Sequence, residues 1–351
     1  MAHYTRFAWL TASGTCLLTL ASLAGDGARA IGPYGAEVRV AFSPDGKSLA
    51  VTTRGGSAAL VDLSNGRQTT RFEGSELESE SGIAFAPDGS RFALATQEGR
   101  VRIFDVKTGK LQALISNAGE VHTIAFTSDG KALITGGGLP ELAMEEGEEL
   151  PPQEEDGEMG LPGGRDPEGA TACVWDASSG AKTIELDAKS HNKFSGVAAS
   201  PVAPIVAQAR GDGKLVLFDL EGKKKRELDL GAPAHAVAFS PDGKLVAAHG
   251  AKDGAVTLVD VASGEVVRTL GKQEGSGPDG SLAFSPDGKT LAYTSRGTEG
   301  VQLYAVESGK ELSVLSQGAA APWSLAFSPD GKTLACGLRS GKVMLHTVGT
   351  D

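Results

Sequence analysis

The phrase LAFSPDGKTLA occurs twice in this chain, at residues 282–292 and 325–335, and weaker copies run through most of the 351 residues. Aligned on its phenylalanine, the copies fall at Phe42, Phe85, Phe126, Phe239, Phe284 and Phe327. The spacings are 43, 41, 113, 45 and 43 residues, so the long gap hides a further copy. It reads VAASPVAPIVAQA at 197–209, with Ala199 in the Phe position. A period of this length constrains the fold sharply. Each unit is too short to bury a core alone and must pack on its neighbours.

Within each unit the pattern is all β. A first strand alternates apolar residues (VRVAF, HTIAF, HAVAF, WSLAF) and ends in Ser-Pro-Asp-Gly, where Pro presets a turn and Gly supplies positive φ. A second strand (SLAVTT, RFALAT, TLACGL), a third (AALVDL, RVRIFDV, KLVLFDL) and a fourth (KLQALI, EVVRTL) follow, separated by Gly-bearing turns. The expected fold is a seven-bladed β-propeller of four-stranded antiparallel blades. The residue before each anchor is alanine in all seven units: Ala41, Ala84, Ala125, Ala198, Ala238, Ala283 and Ala326. On a strand that position points opposite to the Phe. The expectation is that these alanines face a central channel with room only for a methyl. The last unit lacks a fourth strand, and residues 31–35 (IGPYG) are expected to supply it and close the ring.

One segment breaks the rhythm. Between the second and third strands of unit three, residues 139–169 carry Glu141, Glu145, Glu146, Glu148, Glu149, Glu154, Glu155, Asp156, Glu158, Asp166 and Glu168 against Arg165 alone. Nearly all of the chain's net charge of −11 sits there. Its composition reads as an acidic insertion that does not fold alone. An acidic arm of this kind suits a basic protein partner. The overall charge argues against nucleic acid, which needs a basic footprint.

At the N-terminus, Arg6 precedes an apolar run diluted by Ser, Thr and Gly, and Ala28-Arg29-Ala30 places small residues where a signal peptidase reads them. Residues 1–30 are therefore expected to be a signal peptide and 31–351 the propeller, with no transmembrane segment after cleavage. Cys173 and Cys336 lie in different units and read as buried thiols. An exported chain without disulfides fits a periplasm or the space outside a bacterial cell.

These repeats resemble the WD-repeat (Trp-Asp) β-propeller family, in a divergent, bacterial style. The Trp-Asp position reads Val61-Asp62, Phe104-Asp105, Trp175-Asp176, Phe218-Asp219, Val259-Asp260, Tyr304-Ala305 and Leu345-His346. The family's Asp before the third strand is met at Asp212 and Asp253, and its Gly-His pair is absent. The resemblance implies that the His–Ser/Thr–Asp–Trp hydrogen-bond network is incomplete, so apolar packing must hold the blades. It also implies a rigid scaffold that docks protein partners on the face carrying the fourth-to-first strand connections.

No HExxH, CxxC, Walker loop or Gly-x-Ser-x-Gly is present, and His122, His191, His235, His249 and His346 are spread along the chain. Four residues before each anchor stand Val38, Ser81, His122, Ser195, His235, Gly280 and Trp323, expected near the channel mouth. Trp323 is the candidate interaction anchor, with His122 and His235 beside it in register. The function expected is a non-enzymatic, monomeric scaffold with no cofactor or metal. The alternative is a propeller enzyme of lactonase or quinoprotein type, which needs acids and imidazoles converging at the channel mouth.

Overall fold

The structure, a computed structural model, describes residues 21–22, 28–32, 34, 36–54, 57–72, 80–96, 98–116, 119–137, 172–186, 196–250, 254–271, 280–294, 300–316 and 321–349. These form seven antiparallel sheets, one per repeat, each ordered from first strand to fourth. Blade one is Ala36–Phe42, Ser48–Arg54, Ser57–Asp62 and Gln68–Phe72, and the other six follow the same plan. First strands touch one another in the cycle one to seven and back to one, which closes the ring. The seven-bladed propeller read from the period is the fold.

The Ser-Pro-Asp-Gly turn shows why the phrase recurs. Gly46 N–H donates to Ser43 O at 2.8 Å, and Gly46 takes φ +69°, a conformation that costs a side-chain-bearing residue. Ser43 Oγ donates to Asp45 Oδ1 at 2.6 Å and accepts from Ser48 N–H at 2.9 Å, while Lys47 N–H donates to the same carboxylate at 3.0 Å. The pattern repeats at Ser240–Asp242, Ser285–Asp287 and Ser328–Asp330, and with threonine at Thr127–Asp129. Each turn thus satisfies its own polar groups and fixes the first hairpin locally.

The seven alanines occupy one register position on the first strands of the blades. They are half-buried, and Ala84, Ala198, Ala283 and Ala326 pack against the cluster shared with the following blade. Strand pairing extends the small face outward. Ala41 pairs Ala50 and then Leu60; Ala84 pairs Ala93 and then Ile103; Ala326 pairs Ala335 and then Leu345. The opposite face is large throughout, as in Phe85–Phe92–Phe104 and Phe126–Leu133–Trp175. The small face of each blade meets the large face of the next. Ala50 and Leu60 share a cluster with Phe85, Phe92 and Phe104, and Ala93 and Ile103 share one with Phe126, Leu133 and Trp175. Where the next blade places a Phe at this level, the small face leaves room for its ring.

Blades three and four test this rule. Blade four has Ala199 where the others have Phe, and blade three has Ile134 where the others have alanine. Both belong to the same inter-blade cluster, with Val174, Val206 and Phe218. Volume lost on one face is restored on the other, as a close-packed interior requires. Cys173 and Cys336 are buried thiols in separate clusters, and burial pushes the Cys173 thiol up to about 11.

Blade seven is completed from the other end of the chain. Arg29–Ile31 pairs antiparallel with Val343–Thr347, through Arg29 with Leu345, Ala30 with Met344 and Ile31 with Val343. Ala21–Ser22 pairs outside it as a fifth strand. Closure therefore begins two residues upstream of the 31–35 segment expected. Among the described residues of that segment Ile31 is in the strand, Gly32 takes φ +114°, and Tyr34 N–H donates to Gly341 O at 2.8 Å. Just before the strand, Ala28 is buried between blades six and seven with Ala30 beside it, while Ile31 enters the cluster between blades seven and one.

Ile31 is 2% exposed, so Ile31→Ala is expected to cost about 2–5 kcal/mol in urea unfolding; an unchanged midpoint would show that the strand contributes no closure. The turn carboxylates give a pH dependence. Their serine hydroxyls, foremost, and the following backbone amides hold Asp45, Asp287 and Asp330 below their ordinary value. That stabilisation is present above the unfolded value and is lost as pH falls through the folded ones. The urea midpoint should drop between about pH 5 and pH 3. The drop should be smaller in the combined Asp45→Asn, Asp287→Asn, Asp330→Asn variant.

Candidate functional site

The register position marked out by Trp323, His122 and His235 has a physical identity: it is a β-bulge. Pairing of first and second strands shifts register between Glu80 and Gly82, Val121 and Thr123, Ala234 and Ala236, and Pro322 and Ser324, which makes Ser81, His122, His235 and Trp323 the extra residues of the bulges. In blade one the skip spans Glu37 and Val38. A bulge bends its strand and re-aims a side chain, so five blades carry the same device at the same end of the ring. Ser195 and the acidic positions Glu145, Glu146, Glu148, Glu149, Glu154, Glu155 and Asp156 lie outside the described residues. The described residues on either side of the insertion, Gly137 and Ala172, stand at this end. Val121 pairs with Gly137, and Gly136 with Ala172.

Bulging disturbs the backbone ladder, and hydroxyls one residue further on bridge to the next blade. Thr123 Oγ1 accepts from Val197 N–H at 3.0 Å, Ser281 Oγ from Leu325 N–H at 3.2 Å, and Ser324 Oγ from Val40 N–H at 3.0 Å. Ser324 Oγ also donates to Val38 O at 3.2 Å, and Ser81 Oγ donates to Val121 O. The rim is thereby stitched from blade to blade by groups that would otherwise be costly to bury unpaired.

The three candidates differ in setting. Trp323 is half-buried under two guanidiniums, with Arg339 Cζ 4.4 Å and Arg39 Cζ 5.5 Å from the ring centroid. Such contacts contribute about 0.5–2 kcal/mol each. His122 Nε2 lies 3.1 Å from Glu120 Oε2. Burial foremost lowers the His122 pKa, Glu120 opposes this, and the Arg39 charge lowers it further. Arg39, on blade one, therefore acts electrostatically on blade three. His235 is half-buried and influences His249, whose own pKa burial lowers to about 4. His122 and His235 are not assembled into a metal-type cluster; among the described residues no group of three or more His, Cys, Asp or Glu is placed to hold an ion.

Arg39 and Arg339 were missed by reading the sequence. Alignment held the signal for Arg39, because three residues before the anchor the other described blades have Gly82, Thr123, Gly196, Ala236, Ser281 and Ser324. The Trp-Asp position also needs one correction. Leu334 pairs with His346, not Leu345, so the blade-seven pair is His346-Thr347, and His346 is buried on the large face. Among the described residues a link of the family's network is present in blade three, Trp175 Nε1 donating to Thr135 Oγ1 at 3.0 Å. Where present, the Asp of the pair caps the next turn, as when Asp105 accepts from Thr108 N–H and Oγ1 at 2.7 Å.

A family model described as WD domain, G-beta repeat matches residues 309–346, which run from the fourth strand of blade six to the third of blade seven. Among solved structures, the Cps50 (Swd1) beta-propeller domain of Myceliophteria thermophila is similar, with a TM-score of 0.74 and 12% identity over 92% of this chain and 100% of that one. At that identity the likeness speaks to fold alone. No curated protein matches the sequence. The class defined by fold and repeat is a seven-bladed β-propeller, and the repeat match supports reading it as a WD-repeat propeller. Among the described residues no helix is long and apolar enough to cross a membrane.

Proposed function

We propose that this protein is a non-enzymatic scaffold of divergent bacterial type that binds protein partners on the bulged rim. The observation that carries the reading is the set of bulges, which bring Trp323, His122 and His235 to one end of a closed ring. A rigid ring presents such side chains with little ordering cost on binding, and Trp and Arg are favoured anchor residues. The acidic insertion of residues 139–169 opens on the same end and serves as an arm for a basic region of the partner. The chain works as a monomer, exported to a periplasm or beyond by a leader within residues 1–30. Processing has to be compatible with the closing strand, since cleavage after Ala30 would remove Ala28–Ala30 from blade seven.

Capture from a cell-envelope extract tests this function. The wild type should retain a defined protein partner, Trp323→Ala should lose it, and deletion of residues 139–169 should weaken its retention at least about tenfold. Unchanged capture by the deletion variant would remove the arm from the mechanism. Unchanged capture by both variants would remove the rim.

A further inference from the structure

Three blades carry an arginine at the same place on the fourth strand, and in two of them it clasps the next blade. Arg226 pairs with Leu217 in blade four, and Arg268 with Leu258 in blade five. Each reaches the turn between the third and fourth strands of the following blade. Arg226 Nη2 donates to Ala262 O at 3.0 Å, and Arg268 donates from Nη1 to Ser308 O at 3.2 Å and from Nη2 to Glu307 O at 2.8 Å. In blade seven the same place falls on the closing strand, where Arg29 pairs with Leu345. The corresponding blade-one turn is at Ser64 and Asn65, yet the exposed Arg29 side chain makes no hydrogen bond or ion pair to these or any other described residue. The clasp is open at the closing seam alone of the three.

Beside the open clasp lies a cleft of about 570 Å³ at the turn end of the ring, within the usual range for small-molecule sites. Arg29 lines it together with Asp45 of blade one and Asp330 of blade seven, and Phe42, Leu63 and Leu345 supply apolar wall. Asp45 and Asp330 each use Oδ1 to accept from a serine hydroxyl, at 2.6 Å, and from the backbone N–H of Lys47 or Lys332, at 3.0 Å. Their second oxygens accept no bond from a described residue. The serine hydroxyls foremost hold both carboxyls below their ordinary value, so both are ionised at neutral pH.

We infer that this cleft binds a small apolar zwitterion, an α-amino acid with a hydrocarbon side chain, its carboxylate on Arg29, its ammonium on Asp45 and Asp330, and its side chain against Phe42, Leu63 and Leu345. The guanidinium presents a planar fork that matches a carboxylate, and here its N–H groups are not committed to backbone carbonyls as they are at Arg226 and Arg268. Charge selects the rest of the ligand. A plain anion is repelled by Asp45 and Asp330, and a plain cation by Arg29, whereas a zwitterion complements both. The site is independent of partner capture at the bulged rim, since the cleft is built from the turns at the other end of the first strands. It exists only in a chain that keeps Arg29, which makes the closing strand part of the site.

Isothermal titration calorimetry tests the assignment, on protein purified as the cell leaves it and with its N-terminus read by intact mass. The mass should show Arg29 retained. Leucine and phenylalanine should bind with Kd below about 1 mM. Glycine, leucinamide and N-acetylleucine, which lack the side chain, the carboxylate and the ammonium in turn, should each bind at least about tenfold more weakly than leucine. Arg29→Gln should lower leucine affinity by at least about tenfold, while Arg268→Gln, at the clasped seam, should leave it unchanged. Urea midpoints verify that both variants fold, and the ligand series needs no variant at all. The assignment is overturned by a mature chain lacking Arg29, by undetectable binding of leucine and phenylalanine, by equal affinity in the wild type and Arg29→Gln, or by leucinamide or N-acetylleucine binding as tightly as leucine. None of those results bears on capture of a protein by the rim, so the two readings stand or fall separately.

Discussion

The fold depends on how one blade lies against the next. Each sheet has a small face that starts from alanine on the first strand, as in Ala41–Ala50–Leu60, and an opposite, larger face led by Phe in every blade but the fourth. Seven contacts between unlike faces give seven apolar clusters, one per interface. Fully burying a side chain such as Phe or Leu contributes about 1.5–3 kcal/mol, against about 1 kcal/mol for a hydrogen bond of the Trp175–Thr135 kind. Packing of unlike faces therefore dominates over side-chain hydrogen bonds of that kind in holding the ring. Because each blade has both faces, the pattern is head-to-tail, and it ends only by closing on itself.

Closure then determines what the ring offers a partner. The antiparallel pairing of Arg29–Ile31 with Val343–Thr347 joins the two ends of the chain at blade seven. At that same closing seam stand Trp323, Arg339 and Arg39. First strands pinned by self-contained Ser-Pro-Asp-Gly turns at one end are bulged at the other, where hydroxyls such as Ser324 and Thr123 bridge the blades. One end of the ring is thus repetitive and, away from the closing seam, internally satisfied, while the other varies from blade to blade and carries the side chains available to a protein partner.

Much of this was legible in the sequence because it is local or periodic. The anchor spacing fixed the number of blades, and Ser43, Asp45 and Gly46 make their turn within six residues. The invariant alanine was also visible, but its contacts were not. Spacing along one strand cannot reveal that this face packs against the cluster shared with the next blade. The closing strand was shifted for a related reason: Gly32 and the residues after it were assigned by their place before blade one, while Ala28 and Ile31 are held by contacts with residues more than 300 positions away. Leu345 was assigned to the Trp-Asp position because neither letter remains there to set the register. Arg39 and Arg339 carry no motif, and only folding brings them to Trp323.

The packing rule is tested most directly at its compensated exception. A double-mutant cycle on Ile134→Ala and Ala199→Phe, followed by urea unfolding, asks whether the two faces share one volume. Singly, the first change opens a cavity and the second overfills the interface, costing about 2–5 and 1–3 kcal/mol. Together they recreate the Ala-against-Phe arrangement of the other blades, so the pair should be more stable than the sum of its parts by at least about 1 kcal/mol. Additive losses, within about 0.5 kcal/mol, would contradict the claim that unlike blade faces fill each other's space.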